Sequence, residues 1–147
     1  MEHSPQDMPD PNTQSERFTQ ARAAQAVAVL EDYAEMIGDL TQEMGEARIT
    51  DIAARMGVTH PTATKAVARL KREGLATSRP YRGVFLTDAG AALAERVRAR
   101  HRIVVDVLMA IGVPEDTAEL DAEGMEHHVS QTTLAAFEAF LTQRKLG

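Results

Sequence analysis

The chain has 147 residues, 44% of them hydrophobic, and contains no cysteine. This length supports one hydrophobic core or two small lobes. The lack of cysteine excludes disulfides and thiolate metal ligands and suits the reducing cytoplasm, where we expect the chain to lie. No apolar stretch reaches the ~18 residues of a membrane span, and the N-terminus lacks the order of a secretory signal, so we expect no membrane partner.

The first residues, up to about residue 14, are rich in Pro, Asp, Gln and Ser. They predict a disordered tail, which we place at residues 1–20. A long helix is predicted over about residues 15–45. Asp32 and Glu35 lie on a polar face of that helix, which is most often mere solvated surface. The apolar positions recur by three and four and are predicted to face a core: Val27, Leu30, Ala34, Ile37, Leu40 and Met44.

The net charge of −6 argues at first against a nucleic-acid partner. The charge is unevenly distributed, however, because residues 48–82 hold eight basic residues against two acidic ones, a local charge of +6. Such asymmetry indicates that this segment meets a polyanion. A solvated surface that is basic by chance is the alternative.

Within the basic segment the pattern predicts two short helices joined by a turn. Thr50 or Asp51 caps the first helix and Gly57 ends it. Thr59 caps the second, with Pro61 in its first turn. The second helix buries an apolar stripe of Ala63, Val67 and Leu70. Because its open face carries small hydroxyls and long cations, it suits a DNA major groove, and we assign DNA contact to Thr59, His60, Thr62, Thr64, Lys65 and Arg69.

A β-hairpin is predicted after Gly74, from residues 75–79 and 84–87 with a turn between them. Arg82 lies at the tip of this wing, where it would contact a DNA backbone or enter a minor groove. A winged helix used only for protein binding or structure is the alternative, since a fold does not fix function.

Three more helices are predicted toward the C-terminus. A long one covers about residues 89–111 after a cap at Thr87 or Asp88, a shorter one begins at about residue 114, and Ser130 caps the last. Their apolar residues exceed what the winged domain alone covers. We therefore expect a homodimer, the most common symmetric solution.

A possible metal motif lies within the shorter helix. Glu123, Glu126 and His127 lie at helical offsets of 0, 3 and 4, within an arc of roughly 100°. Two carboxylates and an imidazole in this arrangement suit a divalent cation, and an acidic, solvated helix face is the alternative. If the C-terminal lobe folds back on the first helix, Asp32 and Glu35 could join them.

The predicted fold is thus mainly α with a small β-hairpin wing. It comprises a winged helix-turn-helix DNA-binding domain at residues 21–90 and an α-helical metal-binding and dimerisation domain at residues 91–147. No nucleophile stands out, and the sequence has no His-Glu dipeptide, so we expect no enzyme, although a metal-dependent hydrolase is one rival hypothesis. Another is a winged-helix regulator of the multidrug or redox kind.

Several separated motifs together resemble one family: LEDYAE at residues 30–35, ARITDIA at 47–53, YRGVFLT at 81–87, RH at 100–101, IGV at 111–113 and DAEGMEHHVS at 121–130. The chain resembles the diphtheria toxin repressor family, in its manganese-responsive, MntR-like branch. The resemblance implies a homodimeric regulator that binds Mn²⁺ and then a double-stranded DNA operator, most often to repress manganese uptake genes. The metal ligands that it implies are Asp32, Glu35, His101, Glu123, Glu126 and His127.

His101 is singled out by the resemblance alone. Iron-responsive members of the family place a Met near position 32 and a Cys at position 123, whereas this chain has carboxylates at both. Hard oxygen ligands match Mn²⁺, with Fe²⁺ or Zn²⁺ as alternative occupants in vitro. The implied mechanism is a cation that joins the two domains and fixes the spacing of two DNA-reading helices.

Overall fold

The computed structural model describes residues 8–146. Within this range the chain forms six α-helices and a two-stranded antiparallel sheet, as the predicted fold class requires. None of the described helices combines the length and apolarity needed to cross a membrane. The elements are, in chain order, α1 Pro11–Met44, α2 Ile49–Met56, α3 His60–Arg72, β1 Ala76–Arg79, β2 Gly83–Leu86, α4 Asp88–Ala110, α5 Glu115–Met125 and α6 Gln131–Leu146.

Helix α1 begins earlier than the composition predicted. The Asp10 carboxylate accepts hydrogen bonds from the Thr13 backbone N–H at 3.0 Å and from the Thr13 hydroxyl at 2.8 Å. Pro11 fills the first turn, where a missing N–H costs nothing. Disorder is therefore the wrong prediction for residues 11–20, and the helix that was also predicted from about residue 15 is the correct one. The part of the predicted tail at residues 1–7 lies outside the described residues.

The middle of α1 carries its buried face. Leu30, Ile37 and Leu40 are buried, but Val27 and Met44, which the periodicity assigned to the same stripe, are 50% and 55% exposed. Helical periodicity says which side of a helix is apolar and not how far along the helix other elements pack. The buried residues of α1 all lie between these two positions.

Helices α2 and α3 pack on α1 through a first core that includes Ile52, Val67 and Leu70. Thr59 caps α3 as predicted, because its hydroxyl accepts from the Thr62 N–H at 3.3 Å. Helix α2, however, has Arg48 at its N-cap position with no side-chain cap, so the predicted capping by Thr50 or Asp51 is wrong. The helix begins one residue before Thr50.

The wing pairs Ala76 with Leu86 and Arg79 with Gly83. Its second strand also bonds to the turn before α2, since the Val84 N–H donates to the Ala47 carbonyl at 2.8 Å. Gly83 has a φ of +94°, and a Cβ there would lie 2.6 Å from the Ala47 oxygen. Only glycine therefore permits this close approach.

Helices α4, α5 and α6 enclose a second, smaller core, which includes Val104, Ala118 and Ala122 with Phe137 against it. Thr87 caps α4, and Ser130 accepts from the Thr133 N–H at 3.2 Å, as predicted. Helix α4 also packs along α1. The two cores are thus joined at the α1–α4 contact, and the end of α5 lies beside it.

Candidate functional site

Two groups of candidate metal ligands lie where the end of α5 meets α1 and α4. The first contains Asp32, Glu126 and His127, and the second contains His101, Glu123 and Glu126. In each group the ligand atoms lie within 4.8 Å of one another. The structure therefore brings five of the six implied ligands together, and Glu126 belongs to both groups.

The first group forms because α5 ends within the acidic motif. Helix α5 stops at Met125, and Glu126 occupies its C-cap, so the motif does not lie wholly on one helix as its spacing predicted. His127, in the turn that follows, reaches Asp32 on α1. Its Nε2 atom is 2.7 Å from Asp32 Oδ1 and 3.3 Å from Glu126 Oε1.

These short contacts lack hydrogen-bond geometry. Among the described residues, neither His127 Nε2 nor Glu126 Oε1 has a hydrogen-bond partner, although both atoms are buried. Leaving buried polar atoms unpaired is costly. Ligand atoms that share one cation at about 2.1 Å lie roughly 3 Å apart, so the spacing and the unpaired atoms both fit a cation.

The second group is centred on His101 of α4. Its Nδ1 lies 2.6 Å from Glu126 Oε2 and 3.8 Å from Glu123 Oε1. Glu123 is exposed, whereas in the first group Asp32 is half-buried and Glu126 and His127 are buried. Of the two groups, the second is therefore the more open to solvent.

Glu35, the sixth implied ligand, belongs to neither group. It lies beside the second group, in a cavity of about 430 Å³ that His101 also lines. Its pKa is raised by burial first and then by the charges of Glu123 and Asp39. The structure thus places Glu35 near the other ligands without bringing it into contact with them.

Three of the clustered groups have raised pKa values. Burial raises the pKa of Glu126 to about 7. The Asp32 carboxylate beside its Nε2 atom raises the pKa of His127. Burial alone would lower the pKa of His101, but hydrogen bonds to Glu119 and Glu126 outweigh it and raise that pKa. A cation bound here has to displace these protons.

The DNA-binding residues assigned from sequence are mostly exposed. Thr59, at the N-cap of α3, and His60 and Lys65, in its first half, have exposed side chains. Thr62 and Thr64 are exposed too, although the Thr64 hydroxyl donates to the His60 carbonyl at 3.0 Å. They form an open, partly basic surface at the start of the helix.

Arg69 differs from these residues. It is half-buried, and its guanidinium donates to the Ala26 carbonyl of α1 at 3.4 Å. Arg69 therefore points toward α1 in this structure rather than outward from α3.

The wing tip combines a cation with aromatic side chains. Arg82 is exposed, forms an ion pair with Glu46 at 3.5 Å and lies 5.6 Å from the centre of the Phe85 ring. Tyr81, beside it, is 99% exposed and has a φ of +63°.

Two family models match the chain in succession. Residues 25–84 match "Iron dependent repressor, N-terminal DNA binding domain", and residues 87–145 match "Iron dependent repressor, metal binding and dimerisation domain". The transcriptional regulator MntR of Escherichia coli O6:H1 is 50% identical over 125 residues, which cover 85% of this chain and 81% of that protein. The chain belongs to the iron-dependent repressor family.

Other members are similar along most of the chain. MntR of Salmonella typhimurium strain LT2 is 51% identical over 128 residues, which cover 87% of this chain and 82% of that protein. The HTH-type regulator MntR of Bacillus subtilis strain 168 is 37% identical over 105 residues, which cover 71% and 74%. The resemblance to the MntR-like branch is confirmed, and these relatives are named as transcriptional regulators.

Solved structures of iron-dependent repressor relatives share the fold. The structure of the manganese regulator SloR has a TM-score of 0.68 at 28% identity and covers 77% of this chain and 53% of its own. A manganese-dependent transcriptional repressor in complex with manganese has a TM-score of 0.67 at 31% identity and covers 76% and 51%. This chain spans about half the length of those two proteins. The predicted fold class is confirmed.

Three charged residues beside the candidate ligands were not identified from the sequence: Glu31, Arg100 and Glu119. Glu31 is 3% exposed, forms an ion pair with Arg100 and has its Oε1 at 3.5 Å from His127 Nδ1. Glu119 accepts from His101 Nε2 at 2.6 Å. Glu119 precedes Glu123 by four residues and so shares its helix face, a signal that could have found it. The burial of Glu31 and its pairing with Arg100 have no comparable local signal.

Proposed function

We propose that this chain is a manganese-dependent, DNA-binding transcriptional regulator that acts as a homodimer and represses manganese uptake genes. Because its proposed partner is double-stranded DNA, we propose that it acts in the cytoplasm. We also propose that it is a regulator without catalytic activity. One observation carries the proposal: the buried Glu126 and His127 of the C-terminal part meet the half-buried Asp32 of α1 in one group of ligand atoms.

The residues of the two groups would hold two cations. Asp32, Glu126 and His127 would bind one, and His101, Glu123 and Glu126 the other, with Glu35 next to the second. The donors are carboxylate oxygens and imidazole nitrogens, without sulfur, which suits Mn²⁺. We propose Mn²⁺ as the effector and Fe²⁺ or Zn²⁺ as alternative occupants in vitro. The names of the MntR relatives and of the manganese complex support this choice.

The ligands join the part of the chain that matches a DNA-binding domain to the part that matches a dimerisation domain. Asp32 and Glu35 lie within residues 25–84, whereas the other four lie within residues 87–145. Without a cation the carboxylates from both parts repel one another. A bound cation supplies the positive charge that removes this repulsion, so that the ligand side chains can fix α1 relative to α4 and α5.

That fixed position matters because a dimeric helix-turn-helix protein reads two half-sites about 34 Å apart. A shift of α1 moves α3, since both share the first core. Changing such an equilibrium from 1:99 to 99:1 requires about 5.5 kcal/mol of differential binding. We propose that the cations bound in each subunit provide it.

The second copy would cover exposed apolar side chains of the C-terminal part. Leu120 and Met125 of α5 are 74% and 39% exposed, and Phe140 and Leu146 of α6 are 38% and 84% exposed. Large side chains left in water favour association. The match to a "metal binding and dimerisation domain" supports the same partner.

We propose that the start of α3 enters the major groove and that the wing contacts the neighbouring backbone. The contacts would come from Thr59, His60, Thr62, Thr64, Lys65 and Arg82, with a smaller part for Arg69, whose guanidinium already donates to α1.

The test is a DNA-binding titration with and without the metal. Duplexes are selected from a random pool with the full chain, once in Mn²⁺ and once in EDTA, and affinities are then measured by fluorescence anisotropy. We expect Mn²⁺ to tighten binding at least 100-fold for the wild type, which corresponds to a coupling of about 3 kcal/mol. Glu126→Ala is expected to lose this gain.

Glu138→Ala is the matched control, since Glu138 is an exposed carboxylate of α6 outside both ligand groups. It is expected to respond to Mn²⁺ like the wild type. Equal DNA affinity of the wild type in Mn²⁺ and in EDTA would contradict the proposal, as would a full metal response of Glu126→Ala.

A further inference from the structure

His101 lies between carboxylates on both sides of its ring. Its Nδ1 faces Glu126 Oε2 at 2.6 Å within the second ligand group, and its Nε2 faces Glu119 Oε2 at 2.6 Å. The two ring nitrogens point in different directions, so a ring that presents Nδ1 to the ligand group turns Nε2 away from it. Glu119 therefore lies outside both ligand groups, and the proposed function assigns it no role.

We propose that Glu119 is a positioning residue whose carboxylate accepts the Nε2–H of His101 and holds the unprotonated Nδ1 toward Glu123 and Glu126. A neutral imidazole carries one ring proton, and the hydrogen bond at one nitrogen decides which nitrogen remains free to bind a cation. An outer carboxylate also makes the imidazole a more basic ligand. This inference rests on the proposed function, because it concerns the same site.

The fold brings Glu119 to His101 and gives its side chain few other interactions. Glu119 shares a face of α5 with Glu123, and α5 packs on α4, which carries His101. The side chain of Glu119 is 53% exposed, whereas that of His101 is 19% exposed. An acidic side chain that is half in water contributes little to packing, so its short bond to a shielded imidazole is its main interaction.

Metal titration of the full chain tests the proposal. Calorimetric titration with Mn²⁺ is carried out on the wild type, Glu119→Ala, Glu119→Gln and a control, Glu115→Ala. Glu115 lines the same cavity, but has no hydrogen bond or ion pair with another side chain in the described part of the chain. Loss of an outer partner of a metal-binding histidine weakens affinity about 10- to 100-fold. We expect this loss in Glu119→Ala for one of the two cations only.

Glu119→Gln separates positioning from direct ligation. Its amide oxygen can still accept the Nε2–H, so this variant is expected to keep most of the affinity that Glu119→Ala loses. Glu115→Ala is expected to match the wild type. Unfolding of all four proteins in EDTA, at a pH where the imidazoles are neutral, is expected to give the same midpoint, because the exposed Glu119 does not support the core and its charge then has no imidazolium to stabilise.

A second measurement does not depend on the metal. Two-bond ¹H–¹⁵N spectra of the metal-free chain, at a pH where its imidazoles are neutral, show which nitrogen of His101 is protonated. We expect Nε2–H in the wild type and in Glu119→Gln, and a shift toward Nδ1–H in Glu119→Ala.

Three results would overturn the role of Glu119: Nδ1–H in the wild type, unchanged affinity in Glu119→Ala, or equal losses in Glu119→Ala and Glu119→Gln, which would make the carboxylate a direct ligand. A wild-type chain that binds no Mn²⁺ would overturn the proposed function instead.

Discussion

The stability of the metal-free chain is expected to fall as the pH rises through neutrality, which is the reverse of ordinary acid denaturation. Burial raises the pKa of Glu126 from 4.5 to about 7, so the folded state holds this proton more tightly than the unfolded state does. The contribution of Glu126 to the free energy of unfolding is therefore complete below pH 4.5 and is lost as the pH rises to about 7. At about 1.4 kcal/mol per pKa unit, the loss is about 3 kcal/mol.

The two histidines act in the same direction. The pKa values of His101 and His127 are raised in the fold. Their contribution is present below the unfolded value of about 6.5 and is lost as the pH rises through the folded values. Bound Mn²⁺ reverses the trend, because its affinity increases as these protons leave.

Urea unfolding in EDTA between about pH 5 and pH 8, at one protein concentration, measures this effect. We expect the free energy of unfolding to fall with pH and expect Glu126→Gln to flatten most of the slope, while Glu115→Gln, at an exposed site, keeps it. A metal-free wild type whose stability is constant or increases over this range would refute the reasoning.

Two further predictions concern the DNA surface and the α1–α4 contact. Lys65→Ala is expected to weaken DNA binding and to reduce the slope of log K against log salt by about one unit. Lys71→Ala, in the last turn of α3, serves as its control, and equal slopes for Lys65→Ala and the wild type would move the interface elsewhere. Arg100→Met, which leaves the buried Glu31 with only its longer contact to His127, is expected to lower the free energy of unfolding by about 3–5 kcal/mol in urea experiments. The double variant with Glu31→Leu is expected to recover most of it, and a loss of under about 1 kcal/mol in Arg100→Met would show that the pair is not effectively buried.

Local chemistry explains which elements could be predicted. Thr59, Thr87 and Ser130 were correctly identified as caps because a hydroxyl before an apolar helix satisfies free backbone N–H groups nearby. The start of α1 was missed because composition was weighed above the capping signal of Asp10 and Pro11. Both residues were visible in the sequence.

The candidate site depends on contacts between distant parts of the chain. Helical arithmetic placed Asp32 on a polar face of α1, but only the packing of α1 on α4 brings it to His127. The burial of Glu31 follows from the same packing, and its residue type alone argued for solvent exposure. His101 was identified through the family resemblance alone, because the pattern of α4 by itself does not distinguish a metal ligand from any other histidine on a helix.

Crystals of the full chain grown with Mn²⁺ test the central claim most directly. Anomalous scattering at the manganese edge locates the ions without reference to the protein coordinates. The account predicts one peak shared by Asp32, Glu126 and His127 and a second beside His101 and Glu123. Manganese bound only at other places, with Asp32 separated from the end of α5, would contradict it.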